Sequence, residues 1–271
     1  QSVAHNCVLI DMPGEALPSY WGLTYDGPEG KISSGGMNKP NGGICKAFET
    51  NDRYTYVCGD ATPCYLPEKC ALALRQYVFV MPDHFIVCDR VISTDASYKK
   101  SWLLHTQNEP EVNGNTFTAM HEDGRLFCTT LYPKNAVLTK IGGPGKEFWA
   151  CGKNWELDPK VAEMAAARYA GGLFGNWRVE VSPGAPRKED VFLHLIRVGD
   201  AALASPERAT LIDRKGTVGV KFTAGTSTVQ VTFATSGNPD GHVTISMGGK
   251  KVMDRDLTSE IMPQAGLSGA K

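Results

Sequence analysis

From residue 44 onward, the sequence is a succession of short runs rich in β-branched and aromatic residues, separated by Gly, Pro, Asn and Asp. Branched side chains fit a pleated strand and crowd a helical turn. Many short strands with hardly any helix predict an all-β fold, a layered antiparallel β-sandwich. The predicted strands are 44–48, 54–58, 72–81, 84–92, 98–106, 116–120, 125–132, 136–141, 177–182, 191–198, 217–222, 228–234 and 242–247.

Two of these runs, 77–80 and 85–88, are apolar throughout and flank the turn signal Pro82-Asp83. Strands that lack an alternating polar face are usually covered on both sides. The sequence therefore predicts a tight turn at this dipeptide and a sheet that is buried on both faces.

One stretch, 158–169, differs from this pattern because it has Asp158 as a cap, Pro159 in the first turn and an Ala-rich run. It predicts a short helix between two sets of strands. We therefore expect a central layered antiparallel β-sheet domain over 1–157, a helical connector over 158–172 and a smaller C-terminal β-sheet domain over 173–271.

The first stretch, 1–11, reads as a strand with two polar residues in its middle, His5 and Asn6. An imidazole exchanges a proton near neutral pH, and an adjacent carboxamide can orient a polar ligand. This pair is therefore the first candidate for chemistry. The alternative is that His5 is a hydrogen-bonded structural residue, which is the commoner role of a single His on a strand.

Charge and length limit the classes of function. The chain has 28 basic and 29 acidic residues, so no overall field attracts it to nucleic acid or to a membrane surface. No apolar run approaches the roughly 20 residues that cross a bilayer. The sequence starts at Gln1, within a predicted strand and without Met, so we expect that residues precede it.

Eight cysteines, at positions 7, 45, 58, 64, 70, 88, 128 and 151, leave several alternatives open. An even number allows disulfides in an oxidising compartment. Cys88 and Cys128 lie in apolar strand patterns and are predicted to be small core residues, whereas 58–70 is a loop-rich stretch where pairing or metal binding is conceivable. None of the spacings is the C-x-x-C of a structural zinc site.

The long segment 12–43 is rich in Gly, Pro, Ser and Asn and contains exposed-type aromatic and basic residues, among them Tyr25. Loops of this length commonly serve a site, although such residues also occur in loops without function. The sequence has no phosphate-binding loop, no G-x-S-x-G elbow and no H-E-x-x-H motif, which argues against the reactions that those motifs support.

Taken in order, several short motifs resemble the β-sheet region of the heparinase II/III-like polysaccharide lyases, and the similarity covers nearly the whole chain. Each motif is weak alone, but their order and spacing are fairly specific. The motifs are Ala4-His5-Asn6, Gly59-Asp60-Ala61-Thr62 before Tyr65, 75–79 leading to Asp89-Arg90, Trp102-Leu103-Leu104-His105-Thr106, 175–178, 192–194 and 198–200.

This resemblance implies part of a multidomain enzyme in which an N-terminal α-helical toroid, absent from this chain, precedes the β-sheet region. Such enzymes cleave uronic acid polysaccharides by β-elimination and need no cofactor for the chemistry. The chain alone is expected to be inactive, and its partners are an acidic polysaccharide and the toroid. The resemblance also implies a periplasmic or secreted protein. The alternative is a noncatalytic carbohydrate-binding or structural sandwich that supports a neighbouring domain.

The resemblance also implies roles for individual residues. His5 matches a cleft histidine that acts as a base or as a donor near the substrate carboxylate. Asn6 and Tyr25 are candidate substrate-binding residues, with Asn6 expected mainly to fix local geometry. Some relatives bind a structural zinc ion here, for which Cys7, Asp26 and Cys58 are the candidate ligands; a Cys7–Cys58 disulfide or two inert thiols would suit the same residues. Three further histidines are interpreted as structural: His84, His105 and His194.

Overall fold

The computed structural model describes residues 2–15, 26–27, 30–31, 34–37, 42–155, 158–160, 163–164 and 175–262, with 26–27 and 30–31 described by their backbone only. Among the described residues, strands account for 57% and helical residues for 4%, and none of their helices has seven residues or more. The predicted all-β, layered antiparallel fold is confirmed. No helix in the described ranges is long and apolar enough to cross a membrane.

The described residues form two short 3-10 helices, Ser2–Ala4 and Thr62–Cys64, and a set of strands numbered here in chain order. The strands are β1 (Val8–Asp11), β2 (Asp26–Gly27), β3 (Gly30–Lys31), β4 (Ile44–Thr50), β5 (Tyr54–Asp60), β6 (Cys70–Val80), β7 (His84–Ser93), β8 (Lys99–Thr106), β9 (Glu111–Asn113), β10 (Thr116–His121), β11 (Gly124–Tyr132), β12 (Val137–Gly142), β13 (Trp149–Ala150), β14 (Lys153–Asn154), β15 (Trp177–Ser182), β16 (Glu189–Asp200), β17 (Thr210–Arg214), β18 (Thr217–Ala224), β19 (Ser227–Ala234), β20 (Gly241–Met247) and β21 (Lys250–Asp256).

Three large sheets contain most of these strands. A four-stranded sheet has the order β1-β8-β15-β12, an eight-stranded sheet has the order β4-β5-β6-β7-β16-β11-β10-β9, and a five-stranded sheet runs from β17 to β21 in sequence order. The pairs β2-β3 and β13-β14 form two small ribbons. Neighbouring strands in the described sheets pair antiparallel.

The eight-stranded sheet is the middle layer because a core covers each of its faces. Val78 and Ile86 pack with the five-stranded sheet, in a cluster that includes Val218 and Val231. On the opposite face, β7 and β16 pack against the four-stranded sheet, in a cluster that includes Trp102. The prediction that the runs 77–80 and 85–88 are covered on both sides is confirmed, and residues 81–83 form the predicted turn between them.

The predicted connector at 158–172 does not separate two sets of sheets. β15 follows it in the chain but pairs with β8 of the four-stranded sheet. β16 likewise pairs with β7 and β11 in the middle sheet. Side chains of strands from both sides of the connector therefore form the same cores. Helical backbone is described at 159–160 and 163–164, and the rest of the predicted helix lies outside the described residues.

The predicted first strand begins later than expected. Residues 2–4 form a 3-10 helix, and β1 starts at Val8. Two backbone hydrogen bonds close this segment, from the His5 N–H to the Ser2 carbonyl (3.0 Å) and from the Cys7 N–H to the His5 carbonyl (2.9 Å). His5 and Asn6 consequently lie in a folded segment before the strand and not in its middle.

Candidate functional site

The segment that carries His5 lies at one end of the four-stranded sheet. β1 pairs with β8 so that Val8 is opposite Trp102, and the Leu103 N–H donates to the Cys7 carbonyl at 2.9 Å. Because the strands are antiparallel, the residues before β1 reach the end of β8, beside the start of β15 at Trp177. Both His5 and Asn6 are exposed there.

Contacts with the end of the long loop tie down the start of this segment. Ser2 Oγ accepts a hydrogen bond from the Met37 N–H at 2.7 Å. The contact is close, since a Cβ at Gly36 would lie 2.7 Å from both Cβ and Oγ of Ser2. The Cys7 thiol donates to the Ser2 carbonyl at 3.2 Å. Glycine at position 36 therefore permits the loop to lie directly against the 3-10 helix.

His105, on β8, contacts this segment with its backbone and with both ring nitrogens. Its backbone N–H donates to Asn6 Oδ1 at 2.9 Å, and its Nδ1 lies 3.0 Å from the same oxygen. Its Nε2 lies 2.9 Å from the Val3 carbonyl oxygen. Burial lowers the pKa of the His105 imidazole, and the positive charge of Arg178 lowers it further. The ring is therefore uncharged at neutral pH.

Arg75, on β6, holds the same segment from the middle sheet. Its Nη1 donates to the Asn6 carbonyl at 2.7 Å, and its Nε donates to Asp89 Oδ1 at 2.7 Å. The Asp89 side chain is only 5% exposed, so the carboxylate fixes the guanidinium from within the protein. Asn6 is thus bound through its side chain to one sheet and through its carbonyl to another.

The His5 imidazole differs from the other five histidines of the chain. Within the described ranges it has no hydrogen-bond or ion-pair partner. His194 is fully buried and stacks on Trp102 with ring centroids 3.8 Å apart. The remaining four face side-chain or backbone partners, as described above for His105 and as ion-pair contacts for His84, His121 and His242. His5 therefore combines a fixed backbone with a ring that is available to a ligand.

A cavity of about 400 Å³ lies behind this segment, between the start of β1 and the edge of the middle sheet. Its walls are mainly apolar, and three charged residues, Asp60, Arg75 and Asp89, also line it. Asn6 and Cys7 belong to its lining, whereas His5 does not. A ligand would therefore reach the exposed imidazole from the outer surface of the protein.

The structure does not bring the candidate zinc ligands together. Cys58 is buried in the core between the middle and five-stranded sheets, whereas Cys7 lies near Arg75 and Asp89, on the face toward the four-stranded sheet. Asp26 belongs to β2, but its side chain lies outside the description, as does all of Tyr25. Among the described residues, no group of three or more His, Cys, Asp or Glu could hold a metal ion. The proposed set therefore does not fit zinc.

The alternative of a Cys7–Cys58 disulfide is also wrong, because the two thiols lie on opposite sides of a sheet and both are reduced. Burial raises the pKa of each to about 11, so both stay protonated at neutral pH. The remaining alternative of the sequence analysis, two inert thiols, agrees with this placement.

Sequence reasoning missed the part that His105 and Arg75 play in this segment. Both belong to motifs of the family resemblance, but the sequence predicts only a structural role for His105 and none for Arg75. His105 is 99 residues from Asn6, so no local spacing joins them. Only the register of β1 against β8 would have predicted the contact.

No family model matches the sequence, and no curated protein matches it. Among solved structures, the chain is similar to the heparan sulfate lyase HepC from Pedobacter heparinus, with 15% identity and a TM-score of 0.47, covering 82% of this chain and 29% of that one. A mutant of that lyase gives 14% identity and a TM-score of 0.48. A heparinase III with methylated lysines gives 13% and 0.47, over 79% of this chain and 27% of that one. The chain thus spans less than a third of the length of these structures.

Proposed function

We propose that this chain is the β-sheet part of a lyase that cleaves a uronic acid polysaccharide by β-elimination, and that His5 is its catalytic residue. The observation that carries the proposal is the state of His5: an exposed imidazole without a side-chain partner in the described residues, on a segment held by hydrogen bonds from three directions. Fixing a group before substrate binds is what catalysis requires.

The reaction needs a base, an acid and a neutralising group. The base removes the proton at C5 of the uronate, the C5–H electrons form the C4=C5 double bond, and the C4–O4 bond breaks. The leaving O4 oxygen takes a proton from the acid, so atoms and charges balance. A neutral imidazole can accept the C5 proton, while a protonated imidazole can donate a hydrogen bond to the C5 carboxylate. His5 would act in one of these two roles.

The other groups would come from a helical domain that faces this end of the four-stranded sheet. Arg75 is already paired with Asp89, so it is poorly placed to neutralise a substrate carboxylate. Arg178, the nearby arginine on β15, is likewise 2.9 Å from Glu180. Because Arg75 and Arg178 have carboxylate partners of their own, the proposal requires a second wall for the cleft.

An assay of the chain with and without the helical domain tests the proposal that the two domains share the active site. The 271-residue chain and a longer protein that includes the helical domain would each be mixed with heparan sulfate, alginate and chondroitin-type polymers. Formation of unsaturated uronate would be followed by ultraviolet absorbance. We expect product from the longer protein on at least one polymer and none from the chain alone. Full activity of the chain alone, or no product from either protein, would contradict the proposal.

A further inference from the structure

We infer that His105 is a positioning residue for His5. His105 acts through its contacts with Val3, which precedes His5 in the chain, and with Asn6, which follows it. The inference rests on the proposed function only where activity is the readout. The His105 imidazole contacts the segment at two points, with Nε2 facing the carbonyl of Val3 and Nδ1 facing the side-chain oxygen of Asn6. His5 lies between those two contacts.

The orientation of the Asn6 amide follows from its contacts. The His105 backbone N–H can only donate, so the Asn6 atom 2.9 Å from it must be the oxygen. The same oxygen faces Nδ1 of the ring. The His105 backbone therefore binds this acceptor, and in the tautomer that carries its hydrogen on Nδ1 the ring binds the same oxygen as well.

A neutral imidazole carries one N–H, so at neutral pH the ring donates either to Asn6 or to Val3. The other nitrogen then has no hydrogen to donate to the oxygen that it faces. Among the described residues, the ionisable groups that interact electrostatically with the ring are those of Arg178 and Glu180 on β15 and of His5. Either tautomer leaves the Asn6 side chain bonded to the His105 backbone, so the contact to Asn6 persists.

Arg75 also binds Asn6, but it is a poor choice for a test. Removing its side chain would leave the Asp89 carboxylate buried without its cation, and the fold itself would suffer. His105 can be replaced without that effect. Phe keeps the ring volume and removes both ring nitrogens, Asn retains an N–H near the position of Nδ1, and Gln retains one near the position of Nε2.

The first experiment measures amide hydrogen exchange by NMR in the 271-residue chain. The reporters are the N–H groups of His5, Cys7 and Leu103, all of which donate within the segment or to it. In His105→Phe we expect these amides to exchange roughly three- to tenfold faster, which corresponds to the loss of one hydrogen bond. Amides of the five-stranded sheet should not change, and they serve as the folding control.

Rescue separates hydrogen bonding from packing. His105→Asn and His105→Gln should each restore part of the protection that His105→Phe loses. Unchanged exchange in His105→Phe would overturn the inference. Equal losses in all three variants would also overturn it, since ring packing alone would then explain the effect.

A double-mutant cycle in the longer protein tests the link to His5. If His105 acts through His5, His105→Phe should lower kcat with little change in KM, and it should have no further effect in a His5→Ala background. Additive losses would overturn the positioning role. If the wild-type longer protein produces no unsaturated uronate, the proposed function fails, and the exchange experiment still decides whether His105 holds the segment.

Discussion

The Lys69 ammonium lies 2.5 Å from a Glu15 carboxylate oxygen, and both side chains are completely buried. Lys69 Nζ also donates to the Gly36 carbonyl at 2.6 Å. Glu15 lies near the start of the long loop and Gly36 near its end, so a single ammonium binds both. Gly36 in turn lies against Ser2, which connects this buried ion pair to the segment of His5.

Replacing Lys69 with Met should therefore destabilise the chain strongly. A buried carboxylate that loses its cation typically costs about 3–5 kcal/mol. The second replacement, Glu15→Gln in the Lys69→Met background, removes the buried charge and should recover a large part of that loss. Urea unfolding followed by fluorescence measures both. A cost below about 1 kcal/mol for Lys69→Met would contradict this account of the pair.

The cysteines should react according to their burial. Cys45 and Cys151 are exposed, whereas Cys58, Cys88 and Cys128 are buried in the cores. Burial raises the pKa of all three core thiols, so they are both inaccessible and protonated. A thiol reagent at neutral pH should label the two exposed cysteines within minutes and the core cysteines only in denaturant. Peptide mapping that finds a Cys7–Cys58 disulfide would contradict the placement.

His242 should stabilise the chain at acidic pH. Its ring nitrogens lie 2.7 Å from Asp256 and 3.0 Å from Asp254, and hydrogen bonds to these carboxylates raise its pKa. When the pKa of a group is higher in the folded state than in the unfolded state, its protonated form stabilises the fold. This stabilisation is complete below the pKa of the unfolded state and is lost as pH rises through the pKa of the folded state. His242→Asn should thus be more destabilising at about pH 5.5 than at about pH 8.5. An equal effect at both values, measured by denaturant unfolding, would exclude this coupling.

His194 should have the opposite dependence. It is completely buried, and burial lowers its pKa to about 3. As pH decreases, the unfolded chain binds a proton at this residue before the folded chain does. The free energy of unfolding therefore falls as pH decreases from the pKa of the unfolded state toward that of the folded state. The His194 ring signals in NMR should not titrate between about pH 5 and pH 8. A midpoint inside that range would show that the ring is not sealed against Trp102.

Much of the fold could be predicted from sequence because buried strands have distinctive patterns. The central runs, such as 72–81 and 84–92, match β6 and β7 to within a few residues. The two edge strands of the five-stranded sheet were not predicted, and for β21 the reason is physical: it is exposed along nearly all of its length, so its residues 250–256 are mostly polar and resemble a loop. β17 lies at the other edge of the same sheet.

The candidate site was harder to predict because its contacts join distant parts of the chain. His5 stood out as a polar residue in an apolar run and through the family resemblance, although it lies before β1 and not within it. The segment that carries His5 is held by hydrogen bonds from Met37, Arg75 and His105. Those contacts depend on how β1 packs against β8 and the middle sheet. The candidate zinc ligands do not come together because Cys58 lies on the face of β5 that points away from the cavity. The alternation of side chains along β5 would have predicted this.

The proposed catalytic role of His5 is tested by measuring kcat of His5→Ala in the longer protein. The matched control is His121→Ala, which removes another exposed imidazole at a hairpin end. Loss of a general acid or base should reduce kcat by roughly 10²–10⁴-fold, with the urea midpoint unchanged. His121→Ala should leave turnover unaffected. A His5→Ala protein that is folded and turns over polysaccharide at the wild-type rate would contradict the account and leave a noncatalytic sandwich.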